Sequence, residues 1–227
     1  MSAPADVEAP APVAVSPWWM AAPAALIVAN FVAAQLVTTT PTRDAVYDGG
    51  VIAGSLVQDA VIAAYVLAAA LASGRPLRRV LALRAVSRSA ALRLALPLLA
   101  AMIVVDMALE PLTSAGREQG IAPDHTPHSA AQWRLLLLAF VAFALVAPLA
   151  EELLFRGLGF AALGRHALLL TSILFALAHA LPALLVPVFL GGRALGWVRR
   201  RSGSVYPSLG MHVALNATGL AVALLTA

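Results

Sequence analysis

Residues 145–163 read LVAPLAEELLFRGLGFAAL. The stretch is apolar enough to cross a bilayer, yet Glu151, Glu152 and Arg156 stand in its middle. On a helix consecutive residues turn by about 100°, so Glu152 and Arg156, four apart, share a face and can form an ion pair. Glu151 points about 140° away from Arg156 by the same geometry and is left without a local partner. An unpaired carboxylate in an apolar segment is costly, and a protein neutralises it or uses it.

The rest of the chain explains why those charges matter. Of 227 residues, 61% are hydrophobic and only 11% charged, against roughly 25% charged in a soluble domain. Several apolar stretches are long enough to span a core of about 30 Å, and the ten-residue alternating strands of a membrane barrel are absent. The expected fold is an all-α membrane protein, a polytopic bundle of about seven transmembrane helices. Their segments are 17–38, 50–73, 91–110, 133–163, 166–182, 184–199 and 205–226. Residues 1–16, rich in Pro and Ala without a basic residue, read as a disordered tail rather than a secretory signal. Residues 17–132 form an N-terminal set of helices and residues 133–227 a second unit that holds the polar motifs.

All fifteen basic residues are arginine, and there is no cysteine. Disulfides and thiolate metal sites are excluded, and the arginine and alanine usage is that of a GC-rich bacterial gene. The net charge of +4 does not imply nucleic acid, because the arginines fall between apolar segments. The lipid bilayer is the expected partner. The loop 74–93 holds Arg75, Arg78, Arg79, Arg84, Arg88 and Arg93, and the turn after the sixth segment holds Arg199, Arg200 and Arg201. The 39–49 and 111–132 loops balance Arg43 and Arg117 against Asp44, Asp48, Glu118 and Asp124. The arginine-rich side belongs in the cytoplasm, which puts the N-terminus inside and the C-terminus outside a multi-pass plasma-membrane protein. An amphipathic surface helix within 74–93 is compatible with that scheme.

Other polar residues inside apolar segments have plainer readings. Asp106 and Glu110 lie near the outer end of the third segment, at the interface; Arg165 and His166 anchor a helix start. Asp59, deep in the second segment, has no assigned role. Depth separates a further group from these. If the chain turns near Gly164, Glu151 and His179 both lie about 20 Å from that turn. If it turns again near Gly203, His212 lies about 14 Å from the second turn, and Asn216 shares its helix face. Three helices can therefore aim Glu151, His179, His212 and Asn216 at one region. A carboxylate with an imidazole can hold and deprotonate a water, and an imidazole with an amide can stabilise an oxyanion. The same Glu151, His179 and His212 could instead bind zinc.

The motifs EELLFRG (Glu151 to Gly157), FALAH (Phe175 to His179) and HVALN (His212 to Asn216) have the forms EExxxR, FxxxH and HxxxN. Their order and spacing resemble the CPBP family of intramembrane proteases, which includes the CAAX prenyl endopeptidases and the Abi proteins. The glycine-spaced run FLGGRALGWVRRRSGSVYPSLGMH that ends at His212 resembles the family's connector. The resemblance covers residues 133–227. It implies an intramembrane endopeptidase acting on a peptide or protein, lipidated or otherwise membrane-associated. Glu151 would be the catalytic carboxylate and His179 the aid to water activation. His212 and Asn216 would form the oxyanion hole, with Glu152 and Arg156 as a supporting pair. The mechanism so implied needs no cofactor, although zinc chemistry is also attributed to the family. A non-catalytic immunity or scaffold protein on the same fold, and a proton-coupled carrier, are the competing classes; the inverted repeats of a carrier are not evident.

Overall fold

The computed structural model describes residues 13–36, 45–113 and 126–225, apart from the side chains of Glu110 and Ala223. Most of the expected tail, and Arg43, Asp44, Arg117, Glu118 and Asp124, lie outside the described residues. Those described form an all-α bundle without strands. Helix α1 is Trp18–Leu36, α2 Gly49–Ala72, α3 Leu77–Val80 and α4 Arg88–Thr113. A long helix α5 covers residues 130–163, and α6 Ala167–Ala178, α7 Leu185–Ser202 and α8 Val205–Leu225 follow. Among the described residues four stretches are long and apolar enough to cross a membrane: α1, α2, residues 88–109 of α4, and the run 130–178 that contains both arms of the Gly164 hairpin. The chain is a multi-pass membrane protein.

Local chemistry sets the ends of these helices. Asp48 caps α2 by accepting from the Gly50 and Val51 amides at 2.8 and 3.1 Å, and Ser129 caps α5 through the Gln132 amide, the usual work of N-cap oxygens. Gly164 and Gly203 take positive φ at the two hairpin turns, where a Cβ would be strained. Both turns fall where the sequence placed them.

The 74–93 region corrects an expectation. It is not a helix lying on the surface: α3 is a single turn, and Val80, Leu81 and Ala82 are buried. The Ala82 carbonyl accepts from the Val205 amide at 3.2 Å, and the Arg84 carbonyl accepts from the Ser204 hydroxyl. The Val15 amide donates to the Ala161 carbonyl beside the Gly164 turn. The arginine-bearing segments 74–84 and 199–205 therefore gather at one end of the bundle.

Helix α5 is the axis of the site. It packs against α2 on one side and α8 on another, while α6 and α7 close tightly on each other. Glycine permits that closure. A Cβ on Gly192 would sit 3.2 Å from the Ser172 Cα, and one on Gly196 only 2.6 Å from a Leu168 methyl, the small-residue packing expected of membrane helices.

Candidate active site

Helix α5 is not regular. At residues 140–146 the hydrogen bonds widen to a π pattern, so that the Ala147 amide reaches the Ala142 carbonyl. Residues 153–158 repeat the pattern, with the Gly159 amide on the Leu154 carbonyl. Such wide turns are rare and concentrate at functional sites. Between them, on residues 147–152, stand both carboxylates.

Those carboxylates close on a single imidazole. His212 of α8 places Nε2 3.5 Å from Glu151 Oε2 and Nδ1 3.2 Å from Glu152 Oε1. Glu152 Oε1 in turn lies 3.0 Å from Arg156 Nη1, an ion-pair approach without hydrogen-bond angles. Arg156 Nη2 donates to the Gly192 carbonyl at 3.2 Å. A continuous polar chain thus runs Glu151, His212, Glu152, Arg156, Gly192 across three helices. The sequence separated Glu151 from a self-contained Glu152–Arg156 pair; the structure keeps the pair and corrects the separation, because His212 joins both carboxylates. Two carboxylates and one guanidinium leave one negative charge. One proton beyond the neutral imidazole balances the set, and that proton belongs to the coupled group rather than to one residue.

The two glutamates differ in access. The Glu152 and Arg156 side chains are 0% exposed and that of His212 5%, whereas the Glu151 side chain is 25% exposed. Of these four side chains Glu151 is the most open to a molecule entering from outside. Buried charges survive only when paired, and Arg156 is further held against aromatic rings. Its Cζ lies 4.4 Å from the Phe175 centroid and 5.8 Å from that of Phe155.

His179 is brought to the same neighbourhood without touching the carboxylates. It caps α6, and its Nδ1 lies 2.9 Å from the Phe175 carbonyl. Phe175 stands edge-on to both imidazoles, 5.0 Å from His179 and 5.5 Å from His212. Asn216, one turn beyond His212, donates from Nδ2 to the Phe143 carbonyl at 2.9 Å. Glu151, Glu152, Arg156 and His212 are therefore in direct contact, with His179 and Asn216 flanking them.

Two residues carry signals that the sequence did not resolve. Arg199 was grouped with the loop arginines that set topology. It instead turns inward, donating from Nε to the Arg156 carbonyl at 3.0 Å and covering the Phe160 ring at 5.3 Å. Asp59 on α2 is 3% exposed and accepts from the Ser55 hydroxyl at 3.5 Å. Asp106 is exposed on α4, and the Glu110 side chain lies outside the described residues.

Residues 133–218 match the family described as type II CAAX prenyl endopeptidase, Rce1-like. The match supports a CAAX-protease-like reading of this part of the chain. The match contains all three motifs and is less than half the chain, so α1 to α4, including Asp59, stand outside it. No curated protein and no solved structure gave a match. The chain is a multi-pass membrane protein whose residues 133–218 are similar to that family.

Zinc was open as an alternative, and the donor set tests it. Among the described residues no three His, Asp or Glu side chains converge to hold a metal ion. As arranged, His179 does not join Glu151 and His212 in such a cluster.

Proposed function

We propose that the protein is an intramembrane endopeptidase in which Glu151 activates a water to hydrolyse a peptide bond near the membrane surface. The observation that carries the reading is the contrast within one dipeptide: Glu151 is open to an incoming molecule, while Glu152 is sealed and neutralised. In the proposed reaction Glu151 takes a proton from water, and the resulting hydroxide attacks the carbonyl carbon. Charge builds on the carbonyl oxygen, where donors from His212 and Asn216 stabilise it. Collapse breaks the C–N bond, and the proton held on Glu151 passes to the departing amine. The 3.5 Å gap between His212 Nε2 and Glu151 is loose for a direct hydrogen bond, so both groups can turn to reactants. His179, edge-on to Phe175 as His212 is, assists in holding the water.

The family match supports a CAAX-type substrate, a membrane-associated or prenylated protein cleaved near its C-terminus. The positive-inside rule favours a cytoplasmic N-terminus, with the arginine-rich end facing the cytoplasm of a cell membrane.

The test is cleavage of prenylated and unprenylated CAAX peptides by the purified protein in nanodiscs, comparing wild type with Glu151→Gln. A general base contributes about 10²- to 10⁴-fold, so a loss of that size is expected while thermal stability stays within a few degrees. A chelator should leave wild-type turnover unchanged. Turnover that survives Glu151→Gln would sink the mechanism, and loss with chelator would replace it with metal chemistry. Full biological activity without any cleavage would point to an immunity or scaffold role.

A further inference from the structure

We infer that Pro148 is a positioning residue: by withholding one amide hydrogen it frees the Phe143 carbonyl to fix the Asn216 side chain. The inference rests on the reading of Asn216 as an oxyanion donor.

A helical carbonyl accepts from the amide four residues on in an α turn, or five on in a π turn. For Phe143 these are Ala147 and Pro148. The Ala147 amide is already given to the Ala142 carbonyl, and proline has no N–H. Phe143 is therefore left without a donor from its own helix. In a membrane interior a carbonyl in that position needs a partner from elsewhere, and Asn216 Nδ2 supplies it at 2.9 Å.

The exchange has consequences at both ends. The amide of Asn216 has two N–H donors and one carbonyl acceptor; one donor is committed to Phe143, so the plane of the side chain is set and the second N–H has a fixed direction. A short polar side chain in a membrane helix otherwise bonds back to its own backbone. The same hydrogen bond ties α5 to α8 just where His212 meets Glu151. Pro148 itself is buried and contributes no polar atom to the site. Its effect comes from the hydrogen it lacks.

Pro148→Ala restores that hydrogen and gives the Phe143 carbonyl a competing donor. Since proline inside a helix is normally destabilising, the substitution should leave the melting temperature unchanged or raise it. It should also lower kcat about tenfold with KM within twofold. A proline that merely supports the fold would show the reverse, a lower melting temperature with activity following the folded fraction.

A direct readout does not depend on turnover. Asparagine occurs only at positions 30 and 216, so ¹⁵N-asparagine labelling in nanodiscs gives two side-chain amide pairs, assigned with Asn30→Gln. The Asn216 pair should shift and exchange faster with solvent in Pro148→Ala. Pro148→Val, which restores the amide with a side chain of similar volume, should do the same and serves if the alanine variant folds poorly. An unmoved Asn216 pair overturns the inference, whatever happens to kcat. A shifted pair with unchanged kcat overturns the positioning role. If the wild type cleaves nothing, a shifted pair shows that the protease reading has failed and not the clamp.

Discussion

The two wide turns of α5 can be set side by side. The first, at 140–146, leaves a carbonyl that Asn216 of α8 takes, and it leads to Glu151, a quarter of whose side chain is accessible. The second, at 153–158, carries Arg156, whose own carbonyl is taken by Arg199 of α7 and whose guanidinium lies against Glu152 and Gly192. Both turns borrow a donor from a neighbouring helix. They differ in what they do with charge: the second region seals two opposite charges away from solvent, and the first leaves one carboxylate open. His212 is the bridge between them. A sealed ion pair beside an open acid is a way to hold a reactive group rigidly, since the buried side fixes the geometry and the open side performs the reaction.

The comparison breaks most severely if the sealed side loses one partner. Arg156→Met leaves the fully buried Glu152 without its guanidinium and should cost about 3–5 kcal/mol. That is enough to be seen as aggregation on size-exclusion chromatography and as a large drop in the unfolding midpoint. Glu151→Gln should do neither. The double change Arg156→Met with Glu152→Leu removes both charges and should recover most of the stability, but His212 then keeps only Glu151 and turnover should not return. Recovery of activity in the double variant would mean that the sealed pair is not needed to hold His212.

Which of these features the sequence made legible follows from how local they are. Glu152 and Arg156 were readable because four-residue spacing on a helix fixes their contact. His212 and Glu151 were readable as residents of one region because hairpin turns at Gly164 and Gly203 fix depth. The link from His212 back to Glu152 was not, since it depends on the rotation of α8 about its axis. The wide turns were not visible either: a single extra residue per turn barely changes the apolar pattern, although Pro148 inside an otherwise helical run was a clue. Arg199 looked like its neighbours Arg200 and Arg201 because composition cannot tell which member of an arginine run faces inward. The buried Val80–Ala82 segment was hidden by its surrounding arginines.

Arg199 offers a milder way to sharpen the contrast. Arg199→Lys preserves the positive charge that orients the protein, but lysine has no Nε fork for the Arg156 carbonyl and no planar face for Phe160. A hydrogen bond of this kind contributes about 0.5–1.5 kcal/mol, more when the donor is charged. The unfolding midpoint should fall by a few degrees and kcat by a few-fold, with membrane topology unchanged by cysteine-accessibility mapping. Arg200→Lys is the control and should alter none of these. Equal behaviour of the two variants would return Arg199 to a purely topological role.

Asp59 gives the smallest effect and the finest test. It lies on α2, which packs against the stretch of α5 that bears the glutamates, and its hydrogen-bond donor among the described residues is Ser55 at a long 3.5 Å. A carboxylate held that weakly away from water is a cost to the fold, and the chain from Glu151 to Arg156 reaches neutrality without it. Asp59→Asn keeps the shape and the Ser55 contact while removing the charge. The unfolding midpoint should therefore stay level or rise slightly, by no more than about 1 kcal/mol in stability, and kcat should stay within threefold. A hundredfold fall in kcat at unchanged stability would place a third carboxylate in the reaction, and would extend the working site beyond residues 133–218 to the helix on the other side of α5.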